Sequence, residues 1–234
     1  MRCHPLMATG PSAAPSPGRA HLLGRGARFP LRALLRRPAS RGQALVEFAL
    51  LLPILFVVIM GLIEFAMAFN AVLAINRASQ NAAHMASLTG NMEGADCLIL
   101  QEIEDDIGAP NNKSRIRTVE IQRTALAGNV VYGKNSWTRS GTSTCTLNDG
   151  STMSVPYTRT ENGYPVNQRC NVLSGCPTYT PARTTVDNVG VAITYRYDWV
   201  TPLGTLLPFV GGDKDASRGW TFAKRNVFRM EPNL

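Results

Sequence analysis

The chain has 234 residues and a formal net charge of +8, but residues 1–42 hold eight arginines and no acid, so the remaining 16 basic residues balance all 16 acids. The excess charge therefore sits in a leader rich in Pro, Gly, Ala and Ser, not on a folded face interleaved with aromatics, and nucleic-acid binding is excluded as the reading of the pI of 9.6. Subtracting the leader and the apolar run that follows leaves about 165 residues, room for one modest domain with a core.

Residues 1–42 show no sustained apolar periodicity and are expected to form a basic leader on the cytoplasmic side. Residues 43–69 are the transmembrane helix. From Ala49 to Ile63 there is no charge, with Glu47 before the run and Glu64 after it. Taken as one helix, Leu45 to Phe69 rises roughly 37 Å at about 1.5 Å per residue, enough to cross a bilayer with some tilt. Arginine on one side of the span is the positive-inside pattern, which places the N-terminus in the cytoplasm and residues 70–234 outside a single-pass cytoplasmic (inner) membrane anchor. A cleaved secretory signal is the rival reading, with an Ala-x-Ala at Ala66–Ala68, but its apolar segment is usually only about 7 to 15 residues. Glu64, near the outer interface, is expected to need no partner.

From Asn70 to Leu88 the helix continues with Ala71, Ala74, Ile75, Ala78, Ala82, Met85 and Ala86 at helical spacing, an amphipathic extension that stops near Thr89-Gly90. Asp96 caps a second helix, Cys97 to Ile107, in which Leu98, Ile99, Ile103 and Ile107 form the apolar stripe. Gln101, Glu102, Glu104, Asp105 and Asp106 form its solvated face. Arg115 to Arg123 is a strand of imperfect alternation, and Val130 to Tyr132 a short second one. Residues 133–185 turn to Ser, Thr, Asn, Gly and Pro and are expected to form a loop-rich insertion ordered by disulfides. Val189, Val191, Ile193, Tyr195, Tyr197 and Trp199 then alternate strictly with smaller or polar residues, the clearest strand in the chain. Trp220 to Met230 is its expected hairpin partner. The fold class is α+β: a membrane helix running on outside, a short second helix, and a small antiparallel sheet.

Four of the five cysteines, Cys97, Cys145, Cys170 and Cys176, follow the span. An even set on the oxidising side of a membrane predicts two disulfides, with three connectivities open. Zinc would want closer pairs than Cys170 and Cys176, with a histidine nearby.

The segment Arg41-Gly42-Gln43-Ala44-Leu45-Val46-Glu47-Phe48-Ala49-Leu50-Leu51-Leu52-Pro53 resembles the N-terminal region of TadE-like proteins, minor pilin-like components of the tight-adherence (Flp) pilus assembly system. Asn226 to Pro232 is similar to the C-terminal part of that family. The resemblance implies removal of the leader by a prepilin peptidase after Gly42, which is expected to be extended there. Gln43 would become residue one and Glu47 the fifth. It also implies an assembly role for Glu47, Phe48 and Pro53: the early glutamate meets the N-terminal ammonium of a neighbouring subunit, which offsets the cost of a carboxylate at membrane depth, while Pro53 removes one helical hydrogen bond. Other pilus subunits or assembly proteins, and the membrane itself, are the implied partners.

No catalytic constellation is present. His84 has no paired nucleophile or carboxylate motif, and the chain lacks a phosphate-binding glycine loop, a His-Glu-x-x-His and a nucleophile elbow. No cofactor, metal, nucleic acid or small-molecule substrate is expected. The alternative from another class is an uncleaved bitopic protein whose exported domain captures a ligand or surface through residues 133–185.

Overall fold

The computed structural model describes residues 41–171, 185–202 and 219–230. The chain divides into two compact units, Met1–Glu47 and Phe48–Leu234. Of the first, the described part is the opening of a 49-residue helix α1, Arg41–Thr89.

In the second unit α1 changes character along its length. Leu50, Leu51, Ile54, Leu55 and Phe56 are exposed, and the most apolar stretch of the helix buries nothing. From Glu64 on, one side is covered: Ala71, Ile75, Ala78, Ala82, Ala83 and Ala86 are buried in the core. Small side chains on this stripe let the helix axis approach the sheet, and Ser79 Oγ donates to the Val191 carbonyl at 2.7 Å. The alanine stripe is thus spent on the protein's own domain. Helix α1 ends where the sequence predicts: Gly90 takes φ +54 and its N–H returns to the Ala86 carbonyl at 3.3 Å.

The second helix, α2, spans Ala95–Asp106 and begins two residues earlier than expected. Its N-cap is Gly94, at φ 77, with no side-chain cap. A Cβ on Gly94 would meet the Leu147 side chain at 2.6 Å and the Thr146 carbonyl at 2.7 Å, so only glycine permits both the left-handed turn and this close approach. Asp96 is not the cap; it lies inside the first turn and is buried.

Among the described residues seven strands follow: β1 Ile116–Thr124, β2 Val131–Thr138, β3 Ser143–Thr146, β4 Thr152–Val155, β5 Thr158–Asn162, β6 Asn188–Asp198 and β7 Gly219–Arg229. Five form an antiparallel sheet in the order β5-β2-β1-β6-β7, and β3 and β4 pair separately. The imperfect alternation of β1 has a structural cause. Its pairing with β6 shifts register between Ile116 and Thr118, so Ile116 and Val119, three apart, are both buried. Strand β6 alternates as expected, burying Val189, Val191, Ile193, Tyr195 and Tyr197, and pairs with β7 along its whole length.

Residues 133–171 carry more regular structure than their composition predicts: most of β2, then β3, β4 and β5, with Trp137, Val155, Tyr157 and Tyr164 in the core. The polar residues are largely the threonines and serines of the outward positions, which suit a half-buried strand as well as a loop. The α+β class holds: the described residues form two α-helices and antiparallel sheets.

Candidate functional site

The residues singled out in the sequence fall along the first turns of α1. Gly42 is helical rather than extended, because α1 begins at Arg41. A Cβ built on it meets nothing within 4 Å, so no packing requires glycine there. Gln43 donates through Nε2 to Glu47 Oε1 at 3.0 Å, one helical turn on, and both side chains are exposed. Phe48 is exposed, and Pro53 lies within α1, which continues through it although the bond to the Ala49 carbonyl is missing.

The second acidic residue of α1 behaves differently from the expectation that it needs no partner. Glu64 is only 3% exposed. Its Oε1 accepts the Tyr197 hydroxyl at 2.5 Å, and its two oxygens accept the Val200 N–H at 3.1 and 3.2 Å. The Thr201 N–H reaches Oε2 at 2.7 Å. Burial, and then the Glu64 carboxylate beside it, push the Tyr197 phenol well above its ordinary range, so the hydroxyl stays a donor. The strand end that supplies these donors is braced by Asp198, which pairs with Arg115 at 3.3 Å and Arg196 at 3.0 Å. Sequence reasoning missed this clasp. Its one visible sign was an acid at the end of a charge-free run, matched by a tyrosine at the end of the best strand.

Cys97 and Cys145 form a disulfide that ties α2 to β3. Cys170 is also disulfide-bonded, and Cys176 lies outside the described residues. Two of the acids on α2 are structural. Asp96 pairs with Arg169, whose side chain is fully buried, and accepts from Asn135 Nδ2 at 2.8 Å. Glu104, expected on the solvated face, is buried; it pairs with Arg139 and accepts the Tyr157 hydroxyl at 2.6 Å. His84 is exposed and meets Phe228 edge-on at 5.8 Å. A cavity of about 450 Å³ opens beside Arg123, Tyr132 and Asp187. Among the described residues no group of three or more His, Cys, Asp or Glu is placed to hold a metal ion.

What this arrangement offers is a long helix, open to its surroundings over its apolar half and sealed into a small domain over the other, with a carboxylate near each end of the charge-free run. Residues 42–84 match the family model described as TadE-like protein. The match covers the open half of α1 and most of its buried half, and meets the resemblance read at Arg41–Pro53; the likeness at Asn226–Pro232 falls outside it. No curated protein matches the chain, and no solved structure does.

Proposed function

We propose that the chain is a pilin-like, non-enzymatic component of a tight-adherence (Flp) pilus assembly system, anchored in the cytoplasmic membrane by the first half of α1. The TadE-like match over residues 42–84 carries this reading. It is supported by a helix that exposes Leu50, Leu51, Ile54, Leu55 and Phe56 yet passes without a break into the core of a domain. The eight arginines before the run put the N-terminus in the cytoplasm and the α+β domain outside. In this role a prepilin peptidase cuts between Gly42 and Gln43. Cleavage frees an ammonium on Gln43 and leaves Glu47 as the fifth residue, positioned to meet the ammonium of a neighbouring subunit, with Phe48 and Pro53 in the same helix-packing surface.

The helical state of Gly42 favours one alternative, an uncleaved bitopic protein whose exported domain binds a ligand or surface, because a protease must first unwind that turn. Mass spectrometry of the N-terminal residue in the membrane fraction separates the two. Gln43, or its methylated or cyclised form, is the expected result. An intact leader overturns processing and leaves the tethered module, and a start just after Ala68 overturns the anchor itself.

A further inference from the structure

The height of Glu64 along α1 is set by the sequence before it. Phe48 to Ile63 is 16 residues without a charge, a rise of about 24 Å against a hydrocarbon core of about 30 Å. If this helix crosses the membrane, as the preceding reading requires, a run about 6 Å shorter than that core leaves Glu64 at the outer edge of the hydrocarbon, beneath the headgroups and not clear of the bilayer. The groups that bind its carboxylate must lie at the same height, and they are the Tyr197 hydroxyl and the amides of Val200 and Thr201. The end of β6 and the start of β7 are therefore held at the lipid surface.

The side chains exposed at that height suit such a place. On the open side of α1 the apolar surface continues past Glu64 through Phe65 and Phe69, whose rings stack at 6.1 Å. On the strand end Val200 is 56% exposed and Trp220 44% exposed. The Trp220 ring lies 6.5 Å from Tyr197 and 5.3 Å from Phe222, one aromatic patch continuous with the clasp. Tryptophan and tyrosine favour the headgroup layer, where one part of the ring is apolar and the other wet.

The geometry points to a lipid-docking surface: the strand end Tyr197–Thr201, with Val200 and the Trp220 ring, sits in the headgroup layer of the outer leaflet. The occupant is phospholipid, because this patch continues the lipid-facing surface of α1 at the same level. The Glu64 clasp then does more than fold the domain. It fixes how far the domain stands from the membrane.

Full-length protein in phosphatidylcholine–phosphatidylglycerol vesicles tests this with lipids brominated high on the acyl chain. A Trp137→Phe, Trp199→Phe variant leaves Trp220 as the reporter, and a Trp199→Phe, Trp220→Phe variant leaves the buried Trp137 as the control. Trp220 emission is expected to be roughly halved by the brominated lipid, as for a ring at the interface, with Trp137 unchanged. An unquenched Trp220 in protein that resists carbonate extraction overturns the docking while the span survives. A blue-shifted but unquenched Trp220 means that a protein neighbour covers the patch, and overturns it equally. Release of the chain by carbonate overturns the spanning reading and the docking together. As a check on variants that misfold, wild-type protein irradiated with a photoactivatable lipid is expected to crosslink on the tryptic peptide Gly219–Lys224. Crosslinks confined to the helix before Glu64 overturn the docking.

Discussion

Glu64 and Tyr197 stand 133 residues apart in the chain and 2.5 Å apart through a carboxylate oxygen and a phenolic hydroxyl. The bond joins the first residue after the charge-free run to the end of strand β6, with the amides of Val200 and Thr201 on the same carboxylate. A hydrogen bond to a charged acceptor contributes about 1.5 to 3 kcal/mol, and a buried donor left without one costs a similar amount. Tyr197→Phe is therefore expected to lower stability by about 1.5 to 3 kcal/mol. Glu64→Ala should cost more, because it strands the phenol and two amides at once. Glu64→Gln, which keeps one carbonyl acceptor, falls between. Denaturant unfolding in detergent measures the order, and equal losses for all three would show that the clasp adds nothing beyond packing.

The Cys97–Cys145 bridge closes a separation of 48 residues and fixes α2 to the β3–β4 pair. A crosslink of that span stabilises by about 2 to 4 kcal/mol, mainly by restricting the unfolded chain. Cys97→Ser with Cys145→Ser is expected to lose an amount in this range, with a corresponding drop in the unfolding midpoint. Peptide mapping without reductant checks the premise, and a crosslink from Cys97 to any other cysteine would contradict it.

Alkaline pH should unfold the α+β domain from about pH 10, where a free tyrosine titrates. Burial, with the Glu104 carboxylate beside it, raises the Tyr157 phenol above its ordinary value. Burial does the same to Tyr164, assisted by Asp187. A folded-state value raised above the unfolded one means that the native chain keeps protons which the unfolded chain has lost. The stabilisation is thus complete below about pH 10 and declines as pH rises above it. Unfolding midpoints taken between neutral and strongly alkaline pH should fall in that window. Tyr157→Phe should flatten the decline, and a profile unchanged in that variant would remove the phenol as its cause.

How much of this was legible in the residues divides along a physical line. The alternation from Val189 to Tyr197 announced β6, and Thr89-Gly90 announced the end of α1, because each signal is local and periodic. The TadE-like segment was legible for the same reason, being one contiguous stretch. The acids were not legible. Asp96 reads as a helix cap and Glu104 as solvated surface, yet their partners Arg169 and Arg139 lie 73 and 35 residues away and come near only once the sheet has formed. Strands β3 to β5 were hidden by their threonines and serines. Strand β5 is exposed along its whole length, so no apolar face marks it. Glu64 lay in both classes: its position was plain, and its partners were tertiary.

The Asp96–Arg169 pair gives the sharpest test of the core. Arg169 is fully buried, stacks on the Tyr164 ring at 4.9 Å, and reaches Asp96 through Nη2. Asp96 is held on its other oxygen by Asn135, whose own carbonyl oxygen accepts the Tyr164 N–H at 2.8 Å. Removing one charge leaves the other buried and uncompensated, which costs about 3 to 5 kcal/mol, whereas replacing both by apolar groups of similar volume is often close to neutral. Arg169→Met and Asp96→Leu should each destabilise the domain by about that amount, and the double variant should recover much of the loss. The recovery is the informative quantity, because two independent packing defects would add instead. Measured as a double-mutant cycle by urea unfolding, an additive result would mean that Arg169 holds its place through the Tyr164 ring and the surrounding core. A strongly coupled one would mean that the charge pair positions the 164–170 segment against α2.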